Sequence, residues 1–256
     1  MQANHWQDIT MVTLGDQAHM NRPKGDSTGG LIAFMGGPEL QDQQVGRMSI
    51  LAWRTWKLRR KAIGTNDGEV QALVEAEDLN ARCRLLWGEF NGAGVAAKEL
   101  GYNYIERFEA VVRLTPGIVG TDSKGGYDAI IINESPLLGL SNIRAAVQAF
   151  QVKQSLAVDL AKLIWLAGDW NLSDALTKKP AECRQGLKLF LKTFTWKLKY
   201  DPNFIVSARK AKKMQKSATE EMERTWNAQH YLSYLNHSNP DQLVAMIMRA
   251  ASYDFD

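Results

Sequence analysis

Four acids in this chain are placed to do chemistry together: Asp16, Glu69, Asp122 and Asp174. Each falls where an element ends or begins. Asp16 closes the β-rich run Ile9-Thr10-Met11-Val12-Thr13-Leu14-Gly15, and Glu69 opens a long helical pattern after Thr65-Asn66-Asp67-Gly68. Asp122 follows Gly117-Ile118-Val119-Gly120-Thr121, and Asp174 follows an apolar run at residues 163–167 and the turn Trp170-Asn171-Leu172-Ser173. Taken singly, each is accounted for as a cap or turn residue. Gathered within a few ångströms, they would repel. Two unit charges 4 Å apart interact by roughly 4 kcal/mol at an effective dielectric near 20, in a fold stable by only about 5–15 kcal/mol. Convergence therefore calls for cations. Hard oxygen ligands favour Mg²⁺ or Mn²⁺ over Zn²⁺. Two such ions about 3.5–4 Å apart clamp the attacking and leaving oxygens of an in-line displacement at phosphorus.

The elements that must position these acids are legible from period and punctuation. Residues 9–14, 28–35 and 48–58 read as three strands joined by short connections, an antiparallel meander. Gly36-Gly37-Pro38 stops the second. A helix starts with Thr65 or Asn66 as N-cap, places Val70, Leu73, Val74 and Glu77 on one face, and runs to about Phe90, where Gly92 and Gly94 end it. Residues 95–114 read as helical with a break at Gly101. Residues 117–121 form a short apolar fourth strand, of the kind covered on both faces. Residues 141–162 read as a helix with Ile143, Val147, Phe150, Leu156 and Leu160 as core positions. Residues 163–167 are a fifth strand; a helix starts at 173–178, and residues 187–198 continue helical. The order βββ-α-β-α-β-α predicts an α/β fold with a mixed five-stranded sheet and helices on both faces. It also places Asp16 and Asp122 on neighbouring central strands.

At 256 residues, 45% hydrophobic and 23% charged, the chain can build one sizeable core. Residues 1–200 read as one domain and 201–256 as a helical C-terminal tail. No apolar run approaches the roughly 18 residues of a membrane span, and the first residues lack the basic start and apolar core of a signal peptide. An intracellular protein with no membrane partner is the expectation. Cys83 and Cys183 have no metal-ligand spacing and read as buried small hydrophobes. Net charge is only +3, but its distribution is uneven. Arg54, Lys57, Arg59, Arg60 and Lys61 interleave with Trp53 and Trp56, a pattern suited to phosphate contact and stacking. Arg209, Lys210, Lys212, Lys213 and Lys216 form a second run that reads as a solvated face. Trp53, Trp56, Trp87, Trp165 and Trp170 are expected in the core, with Trp170 the nearest to an acid.

Four motifs in order resemble the ribonuclease H domain of copia-type (LTR) retrotransposon polyproteins. LGDQAHMNRPKGDSTGGLIAFMGG is similar to that family's first-strand aspartate, loop and second strand; TNDGEVQAL to its helix-start glutamate; GIVGTDSKGGYDA to its fourth-strand aspartate; and WNLSDALTKKP to its closing acidic element. The likeness spans about residues 9–190. It implies a ribonuclease H-like fold and Mg²⁺-dependent cleavage of the RNA strand of RNA–DNA hybrids. Asp16, Glu69, Asp122 and Asp174 would be both catalytic residues and ligands of two Mg²⁺ ions, with Mn²⁺ as substitute. Asp16 and Asp122 would touch both ions, Glu69 the one nearer the nucleophilic water and Asp174 the other. Asn66, Ser123, Trp170, Arg54 and Lys57 are candidate substrate contacts, and Gln17 and Thr121 stand beside the acids. The partners implied are an RNA–DNA hybrid and a reverse transcriptase domain of a parent polyprotein. The loop before Asp174 lacks the histidine of cellular ribonucleases H, as copia-type domains do. The chain also lacks the Tyr-x-Asp-Asp of a polymerase. A catalytically inactive nucleic-acid or protein binding module from a decayed element stays open as the alternative.

Overall fold

Alternation along β1 (Thr10–Ala18) sets the frame. Val12 and Leu14 enter one core cluster. Met11 and Thr13, on the opposite face, are buried as well, so the strand is covered on both sides. The computed structural model describes residues 8–59, 61–135, 139–178 and 182–199. The expected tail at 201–256 and the second basic run lie outside the described residues. β2 (Thr28–Gly36) pairs antiparallel with β1, and β3 (Gly46–Lys57) antiparallel with β2. The chain then crosses through α1 (Thr65–Phe90), α2 (Ala93–Glu99) and α3 (Tyr104–Arg113) to β4 (Gly117–Thr121), which runs parallel to β1. A short α4 (Lys124–Tyr127) widens into a π-helical turn at Asp128–Ile132. α5 (Ile143–Val158) leads to β5 (Ala161–Trp165), parallel to β4. α6 (Asp174–Thr177) and α7 (Gln185–Thr193) follow, then β6 (Thr195–Trp196).

The strand order is β5-β4-β1-β2-β3-β6. This is the ribonuclease H-like arrangement: an antiparallel meander extended by two parallel strands reached through helical crossovers. Helices cover both faces. α1 and α5 contribute Val70, Leu73, Ala149, Val152 and Leu156 to one core. Leu172, Phe190 and Trp196 close the other over Val12, Leu14, Ile32 and Phe34. No helix among the described residues is long and apolar enough to cross a membrane.

Five expectations are corrected. The sheet has six strands rather than five. The helix expected to continue through residue 198 stops at Thr193, because Phe194 turns left-handed (φ 50°). Thr195 and Trp196, β-formers both, then pair with Arg47 and Gly46 on the β3 edge. The face of α5 is also rotated. Ile143, Val147 and Phe150 are 63%, 52% and 49% exposed, while Ala145, Ala146 and Ala149 are buried with Val152 and Leu156. Close approach of α5 to α1 selects the small side chains for the seam. Leu160 lies past the helix, at φ 56° in the turn before β5. Finally, Trp53 is 68% exposed on β3 rather than in the core, and both cysteines are half-buried thiols.

Candidate active site

The register of two parallel strands brings the first two acids together. Leu14 on β1 pairs with Gly120 on β4. Two residues further along each chain stand Asp16 and Asp122, on the same face by alternation. Gly120 leaves room for the side chains packed at that pair: a Cβ there would lie 2.6 Å from Leu14 Cδ2 and 2.9 Å from Leu166 Cδ1. Asp16 is inside β1 rather than at its end, since the strand runs on to Ala18.

Asp174 arrives from the other side of the chain. It opens α6, which lies directly on β2. A Cβ on Gly30 would meet Thr177 Cγ2 at 2.6 Å and Leu176 Cβ at 3.0 Å, so only glycine lets α6 sit this low. Gly30 is the β2 partner of Asp16, which puts α6 over the first acid. Thr177 donates its hydroxyl to Asp16 Oδ2. One carboxylate oxygen from each of Asp16, Asp122 and Asp174 then falls within 4.8 Å of the others.

Glu69, on α1, lies beside this triad rather than within it, close enough to feel the charges of Asp16 and Asp122. The helix begins at Thr65 after Gly64, one residue earlier than expected. The Asp67 carboxylate fixes that end by accepting from Gly64 N at 3.2 Å and Ser141 N at 3.0 Å. Glu69 is 6% exposed. Its Oε2 is buried with no hydrogen-bond partner among the described residues, as is Asp174 Oδ1.

The electrostatics follow from burial and crowding. Burial, then the Asp122 carboxylate, push Asp16 up to about 6, against the pull of Lys178 and the Thr177 hydroxyl. Burial, Asp122 and Asp16 push Asp174 up to about 7. Burial, then Asp16 and Asp122, hold Glu69 well above the ordinary glutamate range. The balancing cation is Lys178. Its Nζ lies 2.7 Å from Asp174 Oδ2, 3.5 Å from Asp122 Oδ2 and 3.6 Å from Asp16 Oδ1. Burial disfavours its charge, but Asp122 and Asp16, then Asp174, outweigh that and raise its pKa.

A buried acceptor left unmade costs about 1–3 kcal/mol, and a hard divalent cation satisfies such oxygens. The all-carboxylate donor set, with two orphaned oxygens, fits that kind of ion.

The other sequence candidates have visible jobs. Ser123 caps α4, its hydroxyl accepting from Gly126 N at 3.1 Å. Thr121 accepts from Ser123 N at 3.1 Å. Trp170 packs at a 50° tilt on Trp196, ring centroids 5.2 Å apart, against the core rather than in the acid cluster. Asn66 donates to Gly139 O at 3.1 Å beside α4, and Gln17 to Thr65 O at 3.2 Å. Arg54 pairs with Glu75 on α1 at 3.1 Å, and Lys57 with Asp26 at 2.6 Å. By alternation along β3, Lys57 shares the face of Asp16 and Arg54 takes the opposite one.

Three site residues escaped the sequence reading. Asn171 donates from Nδ2 to Asp122 Oδ1 at 3.1 Å, and its own Oδ1 accepts from Ser173 Oγ at 2.6 Å. Thr177 and Lys178 are the others. The one available signal was spacing: Lys178 stands four residues after Asp174, one helical turn away.

No protein-family model and no curated protein sequence matches the chain. Among solved structures it is similar to a foamy viral protease-reverse transcriptase in complex with an RNA/DNA hybrid, at 13% identity over 69% of this chain and 20% of that one, TM-score 0.34. A second similar structure is a foamy viral protease-reverse transcriptase in complex with dsDNA, at 13% identity over 69% of this chain and 96% of that one, TM-score 0.33. This chain thus spans about a fifth of the length of the first. Likeness at this level leaves the fold assignment resting on the strand order itself.

Proposed function

We propose that this protein is a Mg²⁺-dependent endonuclease that hydrolyses the RNA strand of RNA–DNA hybrids, derived from a copia-type retrotransposon polyprotein. The observation that carries this reading is the meeting of Asp16, Asp122 and Asp174 within 4.8 Å, from within β1, directly after the parallel strand β4 and at the start of α6, with Glu69 buried beside them. Bound there, a pair of divalent ions supplies Lewis-acid activation of a water and charge stabilisation at the scissile phosphate.

The chain's own residues supply placement. Asp16 lies on β1 and Asp122 directly follows β4, the parallel strand beside it. Asn171 orients Asp122, and Thr177 orients Asp16. Groups that hold ligands in this way are worth about 10–100-fold in metal affinity or activity. Glu69 and Asp174 complete the set from two helices. Asn66, at the start of α1, is the candidate contact to the substrate 2′-hydroxyl that distinguishes RNA from DNA. Lys57, with the exposed Trp53, offers a backbone and stacking surface on the face of Asp16.

The test is incubation of the protein in Mg²⁺ with end-labelled RNA–DNA hybrid, single-stranded RNA and duplex DNA. Cleavage of the hybrid alone, abolished by chelator and by Asp122→Asn, is the expected result. Cleavage of duplex DNA removes the hybrid-specific reading. Binding of hybrid without cleavage of any substrate transfers the reading to an inactive nucleic-acid binding module.

A further inference from the structure

We infer that Lys178 is a tethered counter-cation that holds the place of the metal in the free protein, so that metal entry is an exchange against its ammonium group. This rests on the function proposed above and deepens it.

The geometry is unusual for a lysine. Its Nζ faces three carboxylates from three separate elements, at 2.7, 3.5 and 3.6 Å. A lysine on a helix surface ordinarily meets one partner a turn away. One oxygen from each of the same three carboxylates lies within 4.8 Å of the others. A divalent ion bound through oxygen needs that same small volume, with ligand distances of about 2.1 Å for Mg²⁺. The ammonium and the ion cannot both occupy it.

The charge count shows why the lysine does not finish the job. Asp16, Asp122, Asp174 and Glu69 offer four acidic groups to one ammonium. Glu69 Oε2, nine-tenths buried beside the cluster, still has no partner among the described residues. The ammonium therefore neutralises the site enough to fold and leaves an unmet acceptor for a stronger cation.

Lys178 is also built to leave. It is the C-cap of α6, with extended backbone (φ −98°, ψ 141°), and its side chain is 33% exposed. Displaced, it stays anchored at the mouth of the site, where an incoming phosphate oxygen is the acceptor it meets. Lysine serves phosphate well as a point charge.

The experiment compares wild type, Lys178→Met, which keeps the stem and loses the charge, and Lys178→Arg. Mg²⁺ and Mn²⁺ alone are titrated calorimetrically, and melting is followed in chelator. Lys178→Met is expected to melt lower in chelator and to bind Mn²⁺ and Mg²⁺ at least tenfold more tightly, with Lys178→Arg near wild type. On hybrid, Lys178→Met is expected to raise KM several-fold in saturating metal. Equal or weaker metal binding by Lys178→Met overturns the exchange and leaves the proposed function standing. Absence of metal binding in wild type and Lys178→Met alike overturns both.

Discussion

Asn171 Nδ2 donates to Asp122 Oδ1 at 3.1 Å, while Asn171 Oδ1 accepts from Ser173 Oγ and Ser173 N. One side chain thus ties the acid that follows β4 to the turn that launches Asp174. Asn171→Ala frees both. Cleavage of hybrid is expected to fall about 10–100-fold, and stability by about 1–3 kcal/mol from the lost buried hydrogen bonds. Parallel measurement of turnover and urea midpoint checks this. A variant with full turnover removes Asn171 from the site.

Asp122→Asn is expected to raise the melting temperature in chelator. After burial, the Asp122 charge is the largest cause raising both Asp16 and Asp174, so neutralising it relieves repulsion. The same change is expected to abolish the stabilisation that Mg²⁺ gives the wild type. Differential scanning calorimetry with and without Mg²⁺ decides. Lower stability in chelator together with a retained Mg²⁺ response would falsify the cluster.

Gly30→Ala tests how α6 is seated. The added methyl would sit 2.6 Å from Thr177 Cγ2. Lifting α6 moves Asp174 and Lys178 away from Asp16, so cleavage is expected to fall at least tenfold, with a stability loss of about 1–3 kcal/mol. Ala at this position with unchanged activity and melting argues that α6 adjusts freely.

The metal-free protein has a pH dependence of defined sign. Asp16 and Asp174 titrate near 6 and 7 when folded, above their ordinary value of 3.8. The folded state therefore holds protons that the unfolded state has released. The stability these two groups contribute is complete below about pH 4 and is lost as pH rises through 6 and 7. Glu69 shifts in the same sense, and Lys178, charged throughout, softens the loss. Glu77, raised from its ordinary 4.5 to about 8 by burial and then Asp159, adds a decline of the same sign that runs on to about pH 8, which Glu77→Gln removes. In chelator the melting temperature of Glu77→Gln is expected to fall from pH 5 to pH 8, and added Mg²⁺ to help more at pH 8. A flat or rising profile sinks the account.

Period and punctuation were enough for most of the scaffold. The meander, α1, the short apolar β4 and the crossover to β5 follow from alternation, Gly/Pro stops and the length of apolar runs. These are local signals carried by backbone preference and side-chain spacing. The four acids were visible because turn, cap and glycine signals flank them, although the strand that carries Asp16 runs on past it to Ala18. What failed locally failed for tertiary reasons. Ile143, Val147 and Phe150 look like a core stripe on α5. The closeness of α1 gives that seam to alanines instead. Residues 194–196 continue an amphipathic helical pattern, yet the open edge of β3 captures Thr195 and Trp196 as a strand.

By itself, the sequence determined the order of the elements and which acids the strand and helix ends would carry. Only the tertiary structure decided that they meet. Asp16 and Asp122 are neighbours through the parallel register of β1 and β4, Asp174 joins them because Gly30 admits α6, and Lys178 comes to rest among all three. No local pattern encodes such a meeting. It depends on distances between segments remote in the chain, such as Asp16 and Thr177, 161 positions apart, and those are set by packing across the sheet.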